Sequence, residues 1–143
     1  MHNLTEHFTL EELTYSYTAK KYNIDNTPTK MQISELTRLC QDILEPIRQK
    51  VGKPIIISSG FRCKALNDRI GGAKNSDHMY ACAADIKCKG MTVKDLFDII
   101  VDMIKNDEIE VRQLIDEYNY SWVHISQNHK HNGYKKNQIL HIK

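Results

Sequence analysis

With 143 residues, 41% of them hydrophobic and 27% charged, the chain has the size and composition of one soluble globular domain with one substantial core. Twenty Lys and Arg against 18 Asp and Glu leave a formal net charge of +2, and the basic residues are scattered. That excludes the basic stripe of a nucleic-acid binder. No apolar run is long enough to span a bilayer, and the opening residues His2-Asn3-Leu4-Thr5-Glu6-His7 form neither the basic start nor the apolar run of a secretory signal. The expectation is a monomer made in the cytoplasm with no stable membrane insertion. Cys40, Cys63, Cys82 and Cys88 show no C-x-x-C spacing and are expected to be free thiols.

In chain order, Thr9 and Glu12 have capping-box spacing for a short first helix. A polar loop follows through Asn23, Asp25, Asn26 and Pro28. Ile33, Leu36, Leu39, Cys40, Ile43, Leu44 and Ile47 recur at helical spacing and predict one long amphipathic helix, kinked or ended by Pro46 and closed by Gly52-Lys53-Pro54. Residues 54–59 are short and β-branched, which predicts a buried strand. One or two helical turns follow over residues 63–70, stopped by Gly71-Gly72, and residues 83–87 are expected as a strand. Thr92 and Asp95 open another helix with Val93, Leu96, Phe97, Ile100, Val101 and Ile104 on its apolar face. The last third predicts a hairpin, residues 111–117 with residues 122–126, and a final strand over 139–142. Helices early and a hairpin late predict an α+β fold, with an antiparallel sheet flanked by helices, as a single domain over residues 1–143.

The chemistry-bearing segment is Ser76-Asp77-His78-Met79-Tyr80-Ala81-Cys82-Ala83-Ala84-Asp85. It sets an imidazole and a carboxylate seven residues apart at the start of a strand, among small residues that permit close backbone approach. Much later, His124 stands inside the apolar strand Trp122-Val123-His124-Ile125-Ser126. Two His and one carboxylate make a catalytic zinc set with a fourth position left for water. Each piece alone is also explained by a satisfied strand histidine, a capping Asp or an exposed His. Strand alternation puts Cys82 on the opposite face from Asp85, so it is left out of the set. His129, Lys130 and His131 imitate a metal tract but lie in a polar stretch and are read as a solvated loop.

Several ordered motifs carry a resemblance over residues 8–126. They are His7-Phe8-Thr9-Leu10-Glu11-Glu12-Leu13, Ile57-Ser58-Ser59-Gly60-Phe61-Arg62, Leu66-Asn67, Gly71-Gly72, Ser76 with His78, Ala83 with Asp85-Ile86, and Trp122-Val123-His124-Ile125-Ser126. In these the chain resembles the zinc D-alanyl-D-alanine carboxypeptidase and L-alanyl-D-glutamate endopeptidase family, peptidoglycan peptidases that include phage endolysins. The resemblance implies a hedgehog-like α+β fold, zinc held by His78, Asp85 and His124, and a peptidoglycan stem peptide as substrate. It implies cell-wall lysis or remodelling after release of the enzyme.

Zinc would polarise the amide and lower the pKa of water to about 7, and a carboxylate must take the proton. In the best-known members that Glu lies three residues before the second His, a position held here by Ser121. Asp77 replaces the usual amide side chain, and Ala81 the usual Gly. Glu117 and Asp116 are the candidate bases, and hairpin parity distinguishes them. A turn of two or four residues sets Glu117 opposite Trp122 and Ile115 opposite His124, with Glu117 diagonally beside His124 at roughly 7–8 Å. A three-residue turn favours Asp116 instead. Even-length loops are common, which favours Glu117, although both carboxylates also read as solvated turn residues.

Arg62 is expected to clamp a substrate carboxylate or the developing oxyanion, or else to form a structural salt bridge. Ser76 is expected either to bind substrate or to cap a turn. The alternative function is a zinc-containing, catalytically inactive cell-wall binding module of the same fold, and the missing Glu at position 121 is its best support. A third reading is a structural domain without metal.

Overall fold

The computed structural model describes residues 2–117, 119–133 and 136–142. Helix α1 (Leu10–Thr14) opens on the capping box read from the sequence: the Thr9 hydroxyl accepts from the Glu12 N–H while the Glu12 carboxylate accepts from the Thr9 N–H. A cap of this kind stabilises by about 1 kcal/mol. Helix α2 (Tyr17–Lys21), capped by Ser16, interrupts the stretch expected as loop. Asn26 then acts as a clamp. Its side-chain NH2 donates to the carbonyls of Thr14 and Phe61 and its oxygen accepts from the Cys63 N–H.

The long amphipathic helix is present in three parts: α3 (Lys30–Leu39), a wide π turn (Cys40–Leu44) and α4 (Glu45–Val51). Pro46 neither ends the helix nor breaks it. It has no N–H to give to the carbonyl of Asp42 and its ring would crowd that group. The π turn just before it, with the Glu45 N–H bonded back to the Cys40 carbonyl, accommodates both effects. Gly52 closes α4 in the left-handed conformation, φ 65°.

Strand β1 (Ile55–Ser59), helix α5 (Lys64–Arg69), a 3-10 turn (Asp77–Tyr80), β2 (Ala83–Cys88), α6 (Val93–Lys105), β3 (Gln113–Glu117), β4 (Trp122–Ser126) and β5 (Gln138–Ile142) complete the described chain. The five strands form one sheet in the order β1-β2-β4-β3-β5. The fold is α+β, as expected, with one departure: β5 runs parallel to β3, so the sheet is antiparallel only as far as β3. A second departure is β1. It lies on the sheet edge with Ile56 48% exposed, rather than being buried on both sides.

Side-chain parity divides the sheet. Ala84 and Ile86 of β2, Val123 and Ile125 of β4 and Leu114 of β3 belong to the buried core, together with Leu36, Leu39, Ile43, Leu44 and Ile47 of the long helix and Leu96, Phe97 and Ile100 of α6. Asp85, His124, Ile115 and Glu117 alternate with these residues and share the other face. The site therefore stands on a sheet whose back is held by close-packed apolar side chains.

Candidate metal centre

Register brings the first two groups together. In the antiparallel pairing of β2 with β4, Asp85 is directly opposite His124. The carboxylate Oδ1 lies 2.9 Å from His124 Nδ1 and 3.3 Å from His78 Nε2. His78 arrives from the 3-10 turn, and its ring meets that of His124 at 5.1 Å between centroids, 66° between planes. These three residues place their donor atoms within 4.8 Å of one another.

The orientation of His78 follows from its outer contact. Its Nδ1 lies 2.7 Å from the carbonyl oxygen of Gly60. A carbonyl only accepts, so Nδ1 carries a proton and Nε2 is the ring atom turned toward Asp85. Burial pushes this imidazole below its ordinary pKa, against the pull of the Asp85 carboxylate. Burial works to raise the pKa of Asp85, but the two imidazoles outweigh it and hold the carboxyl well below the usual range. Gly60 is required where it stands: a Cβ there would lie 2.3 Å from the backbone oxygen of Leu13.

The set lies in a groove of about 770 Å³ that also exposes Arg62, Ser76, Glu117 and Trp122. Glu117 pairs across the hairpin with Trp122, and Ile115 with His124, which is the register of an even turn. Of the turn residues, Tyr118 lies outside the described residues. Burial raises the pKa of the Glu117 carboxyl, and the Asp85 charge adds to the effect, while His124, Trp122 and Arg62 oppose it. Asp116 points to the other face. It is 4% exposed, accepts from the Tyr120 N–H at 2.5 Å and lies 3.1 Å from His141 Nδ1 of β5. It is thus remote from the His78–His124 face and ties the hairpin to β5.

Arg62 reaches the groove from the segment after β1. Its Nη2 lies 3.4 Å from Ser76 Oγ, and its backbone N–H donates to the His78 carbonyl. Burial lowers the guanidinium pKa against the charges of Asp85 and Glu117, and an arginine remains cationic nonetheless. The Ser76 hydroxyl caps the 3-10 turn by accepting from the His78 N–H, and it also lines the groove.

Two features were not legible in the sequence. Arg112 lines the groove beside Asp77, 3.4 Å between Nη1 and Oδ2. The reading of His129–His131 as a solvated loop is corrected: the His131 side chain is only 12% exposed, pairs with Asp77 and stacks on Tyr80. Polar neighbours hid this, because the partners lie some fifty residues earlier. Cys82 is fully buried and lies just before β2, where it groups with Asp77 and His131 rather than with the His78 set. Cys40, Cys63 and Cys88 are likewise free thiols. No helix among the described residues is long and apolar enough to cross a membrane.

Comparison with known proteins adds two findings. A family profile described as Peptidase M15 matches residues 6–126, a span holding every groove residue named above except His131. The chain is also 48% identical over 44 residues to a zinc D-Ala-D-Ala carboxypeptidase of Streptomyces albus G. That match takes in 30% of this chain and 17% of the relative's length.

Proposed function

This chain belongs to the peptidase M15 family, and on that premise we propose that residues 1–143 act as one zinc-dependent peptidoglycan peptidase domain that cleaves stem-peptide amide bonds. The observation that carries the proposal is the convergence of His78, Asp85 and His124 on the floor of a groove that also holds Glu117 and Arg62. The donor set suits zinc: two imidazoles, one already oriented through Gly60, and one ionised carboxylate. Zinc bound there supplies Lewis acidity toward the peptide carbonyl and acidifies water to near neutrality.

The chain's own residues do the rest. Glu117 takes a proton on its carboxylate from the attacking water and returns it to the leaving amine. Burial of the Glu117 carboxyl works in the direction an acid needs, since an ordinary glutamate gives up its proton too readily near neutral pH. Arg62 pairs with a substrate carboxylate or with the oxygen that gains charge, and Ser76 positions that guanidinium from 3.4 Å. The bond cut is either the terminal D-Ala-D-Ala linkage or the L-Ala-D-Glu linkage, in the setting of cell-wall lysis or remodelling.

Mass analysis of purified stem peptides after incubation with the zinc-loaded protein tests this and identifies the bond. Glu117→Gln is expected to keep the zinc and lose about 100-fold or more in kcat, the usual contribution of a general base. Unchanged activity in that variant refutes the role of Glu117. A zinc-loaded wild-type protein that cleaves no stem peptide refutes the peptidase reading and leaves the binding module.

A further inference from the structure

A second mixed donor set stands on the rim of the same groove. Asp77, Cys82 and His131 bring a carboxylate oxygen, a thiol sulfur and an imidazole nitrogen within 4.8 Å of one another. The 3-10 turn, followed by Ala81 in the left-handed conformation (φ 59°), folds the chain so that Cys82 Sγ lies 3.4 Å from the backbone oxygen of Asp77. His131 arrives much later, on the short turn Lys130–Asn132. Its ring is stacked on Tyr80, 3.7 Å between centroids and 12° between planes. Its Nε2 lies 2.5 Å from Asp77 Oδ1 and 3.9 Å from Cys82 Sγ.

We propose that Asp77, Cys82 and His131 form a second site, distinct from the His78 set, for a thiophilic divalent metal such as zinc. The metal would fasten the 127–133 loop to the turn that carries His78. A thiolate, an imidazole and a carboxylate are donors that zinc accepts, and the sulfur disfavours calcium and magnesium. Asp77 and a Cys82 thiolate together balance the charge of a divalent ion.

Spacing agrees with this chemistry. Ligand bonds of 2.0–2.3 Å put neighbouring tetrahedral donors roughly 3.3–3.8 Å apart. Sulfur and nitrogen already stand at 3.9 Å, and the Asp77–His131 pair needs to open by about 1 Å, within the swing of a carboxylate. Outer contacts are in place as well. Arg112 Nη1 lies 3.4 Å from Asp77 Oδ2 and Asn132 Nδ2 lies 3.5 Å from Oδ1, the kind of support that orients a ligating carboxylate.

An ion pair between Asp77 and His131 accounts for two members and leaves the sulfur unexplained. Cys82 is fully buried, and its nearest polar contacts are the long ones to Asp77 and His131. Asp77 and His131 open onto the groove, which gives an ion its way in, and Cys82 closes the back. Binding replaces the thiol proton of Cys82 by the metal and releases that proton to solvent, so affinity falls in acid.

Cobalt(II) substitution of the metal-free protein separates the two sites. The His78 set has only nitrogen and oxygen donors and gives no sulfur-to-cobalt charge-transfer absorption. The expected result is a near-ultraviolet thiolate band that saturates at one ion per chain, with a total of two ions bound. The band should persist in His78→Ala and vanish in Cys82→Ser and in the more peripheral His131→Gln. A wild-type protein saturated with cobalt that shows no thiolate band overturns the proposal, whatever the variants do. So does a band that survives in Cys82→Ser, because another cysteine then supplies it. Peptide cleavage plays no part in this readout, so the result stands apart from the proposed peptidase activity.

Discussion

Gly60→Ala tests the idea that the proposed metal centre is aimed by backbone packing rather than by its own side chains. A Cβ at position 60 would lie 2.3 Å from the oxygen, 2.9 Å from the carbonyl carbon and 3.1 Å from the Cα of Leu13. All three atoms are backbone, so no rotamer change relieves the contact. The shortfall against an ordinary carbon–oxygen approach of about 3.3 Å is roughly 1 Å. The same Leu13 oxygen accepts the Phe61 N–H at 2.7 Å, and that bond must lengthen as the segments part. Overpacking costs about 1–3 kcal/mol and the weakened hydrogen bond about 1 kcal/mol more. A loss of about 2–4 kcal/mol lowers the melting temperature of a chain this size by roughly 5–15 °C. The carbonyl that orients His78 moves with the backbone, and loss of such an outer contact lowers metal affinity about 10–100-fold. Urea unfolding of the metal-free protein and zinc competition against a chromophoric chelator measure the two effects. Gly52→Ala is the control: its strain comes from the left-handed backbone (φ 65°) alone, with nothing within 4 Å of the new Cβ, so zinc affinity should hold. If Gly60→Ala keeps its stability within about 0.5 kcal/mol and its zinc affinity within about twofold, the coupling of Leu13, Gly60 and His78 is refuted.

The raised pKa of Glu117 has two measurable consequences. In the metal-free protein the Glu117 carboxyl should titrate above the ordinary glutamate value, as followed by NMR, because burial and the Asp85 charge outweigh the pull of His124, Trp122 and Arg62. For stability, the folded state holds the Glu117 proton to higher pH than the unfolded chain does. The contribution is therefore fully present below the unfolded pKa and is lost as pH rises through the folded one. Metal-free Glu117→Gln should accordingly melt at the same or a higher temperature than wild type at pH 7, and a clear drop in calorimetry contradicts the assignment. Asp116→Ala should behave in the opposite way, losing about 1–3 kcal/mol as the Tyr120 N–H and His141 lose their partner, while kcat of the folded protein stays within about tenfold. Among the thiols, Cys40 is fully buried and burial pushes it up to about 12, whereas Cys63 is half-exposed at the start of α5. Iodoacetamide on the native protein should label Cys63 first and leave Cys40 unmodified until unfolding, as read by peptide mass mapping.

What was legible in the sequence was local or periodic. The Thr9–Glu12 box, the apolar stripe from Ile33 to Ile47 and the strands around Asp85 and His124 all declare themselves within short continuous stretches of chain. Parity within the hairpin extended that reach, since an even turn alone places Glu117 and Ile115 on the face of His124. Contacts between distant segments stayed hidden. Asn26 looked like loop filler because its partners, Thr14, Phe61 and Cys63, meet only after the chain has folded. The edge position of β1 and the parallel run of β5 were invisible for the same reason: a strand's own sequence does not name its neighbours.

The division of the sheet explains why the site residues tolerate such different neighbours. One face is fixed by the long helix and α6, whose Leu, Ile and Phe side chains set the strand positions to within a packing contact. The other face is released from that duty and carries Asp85, His124 and Glu117 in a groove, where burial raises the proton affinity of Glu117 and the neighbouring imidazoles lower that of Asp85 against burial, without these side chains having to fill a core. His78 is the exception, being off the sheet, and it alone needs an independent anchor. Gly60 supplies that anchor through its carbonyl, and Leu13 fixes Gly60 in turn. A chain of backbone contacts from α1 through the segment after β1 to the 3-10 turn therefore does for His78 what strand register does for the other two. Substitutions along that chain should weaken metal binding even though none of them touches a metal ligand's side chain.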